Sequence, residues 1–369
     1  MRQPVRTRRS RRGAAVTFDV VAFTAAYEAW LGAHIPLVPD DLRAKHEELA
    51  GPVVRFLRGT YYVWLRRVAD LVPHLLDRPP VPLVGDLHIE NFGTWRDRHG
   101  VRRWGVNDLD ELTRGAYPLD LLRLATSAAL APDVALSTGE VCRLLLDHWR
   151  RAGPGPALDM AGARHLRALV PVPGQPHRYF TALRDLPAAD PAAVPAAVRA
   201  AVAASAPSSW RAGWHARRAG TGSLGRPRLV AVGQDADGDW HAREVKLLGP
   251  ATATWPPARV GPVVDDTLYP AVTAALSAPY PGGRVDGWQL RRLAPDVVRV
   301  ELSGLAARDA ERVVRSMAQA VVDVHGVDRA ALAAARADAA GRDGDWLADA
   351  VETMAADTRA CHRAWRQRV

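Results

Sequence analysis

The chain contains two asparagines, Asn91 and Asn107, and both fall within one stretch of acids and turn residues. It reads Gly85-Asp86-Leu87-His88-Ile89-Glu90-Asn91-Phe92 and then, about fifteen residues on, Val106-Asn107-Asp108-Leu109-Asp110-Glu111. An acid on a tight loop after a strand, an amide five residues later and another acid at the end of the next strand can converge on one point. Phosphoryl transfer needs such a set: one carboxylate orients an acceptor hydroxyl and takes its proton, while an amide oxygen and a second carboxylate hold Mg²⁺ against the phosphates. Asp, Asn and Gly are also ordinary turn formers, and Asp110 could simply cap a helix. Either half alone reads as turn chemistry; both together at this spacing favour catalysis.

A second candidate lies far downstream. Gly220-Thr221-Gly222-Ser223-Leu224-Gly225 fits GxGxxG, a weak signal alone. A dinucleotide fold requires a helix to open at the third glycine, whereas here RPRLVAVG continues as a strand and returns through DADGD into HAREVKLL. A glycine-rich turn inside a hairpin fits a loop folding over nucleotide phosphates, and Lys246 on the following strand could reach the α- and β-phosphates. A surface turn followed by a solvated lysine is the plainer alternative. Only two of the 49 cationic residues are lysines, Lys45 and Lys246. That retention suggests a requirement at Lys246, with Lys45 as a reminder that rarity alone does not make function.

The elements that must position these residues follow from spacing. Residues 18–76 show apolar positions at three and four, a helical pattern. PPVP at 79–82 stops the helices, VPLVGD reads as a short buried strand, and GDLHIENFGTWRDRHG reads as loop and turn before the strand RRWGVND. Helical spacing returns over 119–151, and the proline-rich 153–207 reads as short helices joined by loops. RLVAVGQDADGDWHAREVKLL and WQLRRLAPDVVRVEL each read as a hairpin, so 210–302 is expected to form a β-rich lobe. The rest is helical. The expected organisation is a basic tail at 1–13, a helical large lobe at 14–209, a β-rich nucleotide-binding lobe at 210–302 and helices at 303–369 completing the large lobe.

With 369 residues, 48% hydrophobic and 24% charged, the chain can bury roughly three quarters of its unfolded surface and should be globular. The net charge of +9 invites a nucleic-acid reading, yet five arginines sit in RTRRSRR at 6–12, ahead of any apolar pattern, and no aromatic stripe for stacking bases is visible. No specific nucleic acid is expected. The apolar run after the tail is broken by Asp19 and Glu28, so neither a secretory leader nor a membrane span fits. Cys142 and Cys361 lack metal or redox spacing, and a reducing cytoplasm is expected.

GDLHIEN followed by GVNDLDE and PLDLLRLA resembles the catalytic loop and metal segment of aminoglycoside-phosphotransferase-type kinases. FLRGTYY (56–62), GDLHIENFG, NDLDE, GTGSLG, REVK and AQAVVDVHG (318–326) more closely resemble, in order, a bacterial family known only as domain of unknown function 2252. The resemblance implies an α+β, two-lobed, protein-kinase-like fold and an ATP- and Mg²⁺-dependent enzyme phosphorylating a hydroxyl of a small molecule or peptide. It implies Asp86 as base, Asn91 and Asp108 as Mg²⁺ ligands, Gly220 to Gly225 over the phosphates, Lys246 on them, and Asp120 bracing the catalytic loop.

Around these, His88 could orient Asp86 or contact phosphate, or serve as a structural histidine. Arg58 could meet a phosphate or brace the loop, and Asp110 and Glu111 could complete the metal shell or cap the turn. In ordinary kinases the glycine loop and lysine precede the catalytic loop; here they follow it, which suggests a circular permutation. No glutamate follows Lys246 on an evident helix, leaving Asp265 or Asp266 as its nearest acid. Rival functions are a nucleotide-binding scaffold without turnover, transfer of AMP, and a two-metal phosphoesterase, the last disfavoured because no GNH-type loop exists.

Overall fold

The computed structural model describes residues 18–170, 175–277 and 282–368. The basic stretch at 6–12 lies outside them. The N-terminal helices are α1 (Val20–Gly32), α2 (Pro39–Leu49), α3 (Val53–Gly59) and α4 (Tyr61–Leu71). The Asp19 carboxylate caps α1 by accepting from the N–H groups of Val21 and Ala22, and α2 opens with proline and two acids, favoured by its exposed N–H groups. Short strands β1 (Pro80–Leu83), β2 (Phe92–Arg96), β3 (Arg102–Val106) and β4 (Thr113–Ala116) follow, then α5 (Pro118–Leu130), α6 (Thr138–Arg151), α7 (Arg164–Leu169), α8 (Pro176–Arg184) and α9 (Ala196–Ala204). Beyond these lie β5 (Arg211–Ala216), β6 (Arg228–Gln234), β7 (Trp240–Leu247), α10 (Leu268–Ala275), β8 (Gly282–Val285) and β9 (Trp288–Leu293), and the chain closes with α11 (Ala307–His325), α12 (Arg329–Ala340) and α13 (Trp346–Arg366).

The larger body is helical and is organised around α5, almost wholly buried, with α4, α6, α11 and α13 sharing its core. Two two-stranded antiparallel pairs, β1 with β4 and β2 with β3, lie on this body and carry the acidic loops at their ends. A second cluster joins α1 to α4 and to Trp255 and Trp365, with Tyr27 stacked on Tyr62 at 4.0 Å. Among the described residues, no helix is long and apolar enough to cross a membrane.

The smaller body is a five-stranded antiparallel sheet of order β5-β6-β7-β9-β8. Both of its faces are covered, which explains the unbroken apolar run in β6. Val198 and Val202 of α9 pack on Leu229, Ala231, Val245 and Leu290; Phe180 and Leu183 of α8 pack on Val230, Val232, Ala242 and Leu293. The sheet body therefore recruits residues from 176 onward, ahead of the boundary expected at 210. Conversely, Ala253, Ala258, Leu268 and Val272 join the core of the larger body. A sheet interior on both sides needs two covering layers, and short amphipathic helices supply them wherever they fall in the chain.

Two local expectations are corrected. FGTWR, read as loop, is strand β2, because Phe92 and Trp95 find buried positions when paired with β3. The last hairpin runs upstream of β9, since Asp286 and Gly287 take positive φ (46° and 75°) at the turn between β8 and β9, whereas Pro295 follows the end of β9 on its other side.

Candidate active site

The acidic loops are built from a buried polar anchor. The β1 strand delivers the chain to Gly85, whose φ of +87° and whose missing Cβ, which would lie 2.5 Å from the Glu111 carbonyl oxygen, leave room for glycine alone. The Asp120 carboxylate, fully buried at the start of α5, accepts from the N–H groups of Val84 (2.8 Å) and Gly85 (3.0 Å) and faces His325 Nε2 of α11 at 3.0 Å. One turn further on, the fully buried Arg123 donates to Asp86 Oδ1 through Nε (2.8 Å) and Nη2, and to the Leu57 carbonyl (2.9 Å), with its guanidinium beside the Tyr61 and Trp64 rings. Asp86 Oδ2 is left for the cleft. Burial pushes the Asp86 carboxyl above its usual range, against the pull of Arg123.

The remaining donors are held in sequence. Asn91 Nδ2 donates to the Asp86 carbonyl at 2.6 Å, so its amide oxygen is the atom left for a cation. The Asn91 carbonyl accepts from Asn107 N–H (3.0 Å), which ties the first acidic loop to the second. Asp108 is 40% exposed toward the cleft, and Asp110 Oδ1 is buried with no hydrogen-bond partner.

Opposite these loops stands the sheet. In its register Arg228, Lys246 and Gln289 lie abreast on β6, β7 and β9, and Val230, Glu244 and Arg291 form the next row on the same face. Lys246 Nζ bonds Asp110 Oδ2 and lies 4.0 Å from Asp108 Oδ1. Burial alone would raise Asp110, but Lys246 and Arg226 hold its carboxyl well below the usual range. Glu244 is drawn down to about 2: burial opposes this, and the cations Arg228 and Arg217 overcome it.

The glycine-rich turn connects β5 to β6 and descends onto the acidic loop. A Cβ on Gly222 would lie 3.1 Å from the Arg58 carbonyl and 3.5 Å from Asp86 Oδ2. Thr221 Oγ1 donates to Glu48 (2.6 Å) of α2, Ser223 Oγ accepts from Arg228 (2.6 Å), and Gly225, at φ +94°, rests on Leu42. Gly220, Gly222 and Ser223 line one cavity of about 310 Å³ together with Arg58, Asp86, His88, Asn91, Asp108 and Asp110. Lys246 reaches its edge through Asp110 and Asp108.

Residues 37–149 match the model of a family described as "Uncharacterized protein conserved in bacteria (DUF2252)". Over that segment the chain is similar to this bacterial family. The match takes in FLRGTYY, both acidic loops and Asp120, and stops short of the glycine-rich turn and Lys246. No curated protein and no solved structure matches the chain.

Several expectations change at the level of single side chains. Lys246 takes Asp110 as its acid, not Asp265 or Asp266; Asp265 is held by Arg114 (3.0 Å) and Thr267. Asp110 is therefore first an ion-pair partner, with only its second oxygen open to a metal. His88 makes no hydrogen bond to Asp86: its ring nitrogens face Arg58 Nε (3.3 Å) and Glu90 N–H (3.2 Å). Burial and the cations Arg58, Arg123 and Arg299 keep it neutral, well below the usual histidine range. Arg58 braces the same loop through Glu90 (2.7 Å). Glu111 is committed to Thr252 (2.6 and 2.9 Å) and Arg226, joining the acidic turn to the chain after β7.

Arg123 and Arg291 were not singled out from sequence. An arginine inside the otherwise apolar PLDLLRLA was a legible signal for the first, because a cation on an all-buried helix needs a buried acid. Among the described residues, no three His, Cys, Asp or Glu side chains are grouped as metal ligands. The cleft offers fewer, harder oxygens.

Proposed function

We propose that this chain is an ATP- and Mg²⁺-dependent phosphotransferase acting on a hydroxyl of a small molecule or peptide. One observation supports the reading: a glycine-rich turn more than a hundred residues downstream lines one cavity with the acidic loops, and the buried Lys246 meets Asp110 at its edge, 4.0 Å from Asp108.

The donor set suits Mg²⁺. Asn91 Oδ1, Asp108 and the unpartnered Asp110 Oδ1 are hard oxygens, few enough to leave room for phosphate oxygens and waters around a small octahedral cation. Bound there, the ion would neutralise charge on the phosphate oxygens. Asp86 Oδ2 accepts the proton of the attacking hydroxyl as its oxygen bonds to the terminal phosphorus and the bond from that phosphorus to the bridging oxygen breaks, releasing the diphosphate. Arg123 fixes the other Asp86 oxygen, so the base has one orientation. Lys246 presents its ammonium to the phosphates when they compete with Asp110, and the backbone of the glycine-rich turn covers them without side-chain interference.

The same reading includes a two-lobed, kinase-like arrangement reached by permutation. The sheet follows the acidic loops in sequence yet roofs them in space. Asp19 before α1 pairs with Arg368 after α13 at 2.7 Å, so the described ends are neighbours and re-joining the chain elsewhere is sterically easy. Consumption of Mg·ATP with a panel of hydroxyl acceptors, read with product mass, tests the proposal. Phosphate gain supports it, AMP gain redirects it to nucleotidyl transfer, and tight binding without turnover across the panel favours the scaffold.

A further inference from the structure

Six arginines line the cavity: Arg58, Arg217, Arg226, Arg228, Arg291 and Arg299. Five have a carboxylate within 3.4 Å. Arg58 and Arg299 share Glu90, Arg217 and Arg228 share Glu244, and Arg226 meets Glu111. Among the described residues, the Arg291 side chain has no carboxylate within 4.0 Å and no hydrogen bond, although it lies in the field of Glu244, Asp108 and Asp110. Its strand register sets it directly across from Glu244, one row from Lys246, on the face that carries both. Its guanidinium is not among the buried polar groups left without a partner: it lines the cavity, where water or a ligand completes its hydrogen bonding.

The distribution of charge around it indicates what that is. The roof of the cleft carries Arg217, Arg228, Lys246 and Arg291 against one acid, Glu244, whereas Asp86, Asp108 and Asp110 belong to the floor. A dianionic or more highly charged group between the two layers would meet cations above and, through a bound cation, carboxylates below. Of the roof cations, Lys246 is held by Asp110 and two arginines by Glu244, leaving Arg291 with its forked donors open. Paired N–H groups in a plane match two oxygens of a phosphate.

Resting on the phosphotransferase reading, we infer that Arg291 is the residue that grips the polyphosphate chain from the roof of the cleft, so that recognition is dominated by phosphate number and not by the base. Glu244 then acts as a positioning residue, holding Arg217 and Arg228 aside and leaving Arg291 free.

The test is calorimetric titration of the wild-type chain and Arg291→Gln with Mg·ATP, AMP and inorganic tripolyphosphate. The expected result is a loss of roughly 10- to 100-fold in affinity for ATP and tripolyphosphate in the variant, the size of a charged hydrogen-bond pair, with AMP changed less than about threefold. ATP and tripolyphosphate binding unchanged in a folded Arg291→Gln overturns the inference and leaves the phosphotransferase reading standing. Tripolyphosphate binding that depends on Arg291, without ATP binding, does the reverse. Wild-type protein that binds neither overturns the inference as well. Should Arg291→Gln fail to fold, Arg291→Lys retains charge but not the fork: an affinity loss of about three- to tenfold supports the assignment, and no loss refutes it.

Discussion

The floor and the roof of the cleft hold their charges by different means. On the floor, Asp86, Asn91 and Asp108 sit on loops, and their placement depends on buried groups behind them: Asp120 on two loop amides, Arg123 on Asp86, Ser127 on Ile89 (3.0 Å). On the roof, Lys246, Glu244 and Arg291 sit on strands, where the pleat and the register place them without any second layer. A loop site is only as well defined as its anchor, whereas a strand site is defined by the ladder. Substitutions behind the floor should therefore disturb the whole site and its stability, and substitutions on the roof should act on one contact at a time.

The largest effect expected is on chemistry. Asp86→Asn should lower turnover by roughly 10²- to 10⁴-fold, the range for loss of a general base, while its amide oxygen still accepts from Arg123. Unchanged turnover in a steady-state assay removes Asp86 from the mechanism. Asp86→Ala is the poorer test, because it strips a fully buried arginine of its carboxylate. Since burial raises the Asp86 carboxyl, the acid limb of kcat/KM should fall at a pH above that of an ordinary aspartate, the base being active only when deprotonated.

Behind the floor, Asp120→Ala leaves two buried amides unpaired and should cost about 2–5 kcal/mol in denaturant unfolding. A cost near zero would break the contrast between anchored loops and self-positioned strands. Asp108→Ala should weaken Mg²⁺-dependent nucleotide binding by about tenfold or more, measured by calorimetry, with little loss of stability because this side chain is exposed.

A smaller effect concerns the other lysine. Lys45 is buried near the Tyr62 ring, and burial pulls its ammonium down to about 8. The unfolded chain binds more protons there between pH 8 and the ordinary lysine value, so this group makes stability rise as pH rises through that window. Lys45→Met should flatten unfolding free energy between pH 8 and 9.5, before the buried tyrosines titrate. An identical slope in wild type and variant would refute a buried, neutralising lysine. Least of all, Gly222→Ala should cost a few-fold in nucleotide affinity, since its Cβ meets the Arg58 carbonyl at 3.1 Å and the turn must lift slightly.

Much of the floor could be read in advance because its signal is local. Gly85, Asp86, Asn91 and Asp108 lie within one short window, and only glycine suits Gly85. The β6–β7 hairpin was equally legible from its Asp/Gly turn. The β2 strand was obscured by flanking turn residues, and β9 was paired with the wrong side because its true partner contributes only four residues before an Asp-Gly turn. Arg291 gave no sign, since arginine is the default cation throughout this chain.

Residue type and spacing thus decided the local chemistry: which loops are tight, which strands alternate, and where an acid, an amide and a lysine are available. Tertiary structure alone decided the partners. Asp110, and no acid nearer in sequence, meets Lys246; Asp86 meets Arg123; and among the described residues no carboxylate lies within 4.0 Å of Arg291. Those pairings depend on how the sheet docks over the loops, a balance of many weak packing contacts summed over segments hundreds of residues apart, and no local pattern encodes that sum.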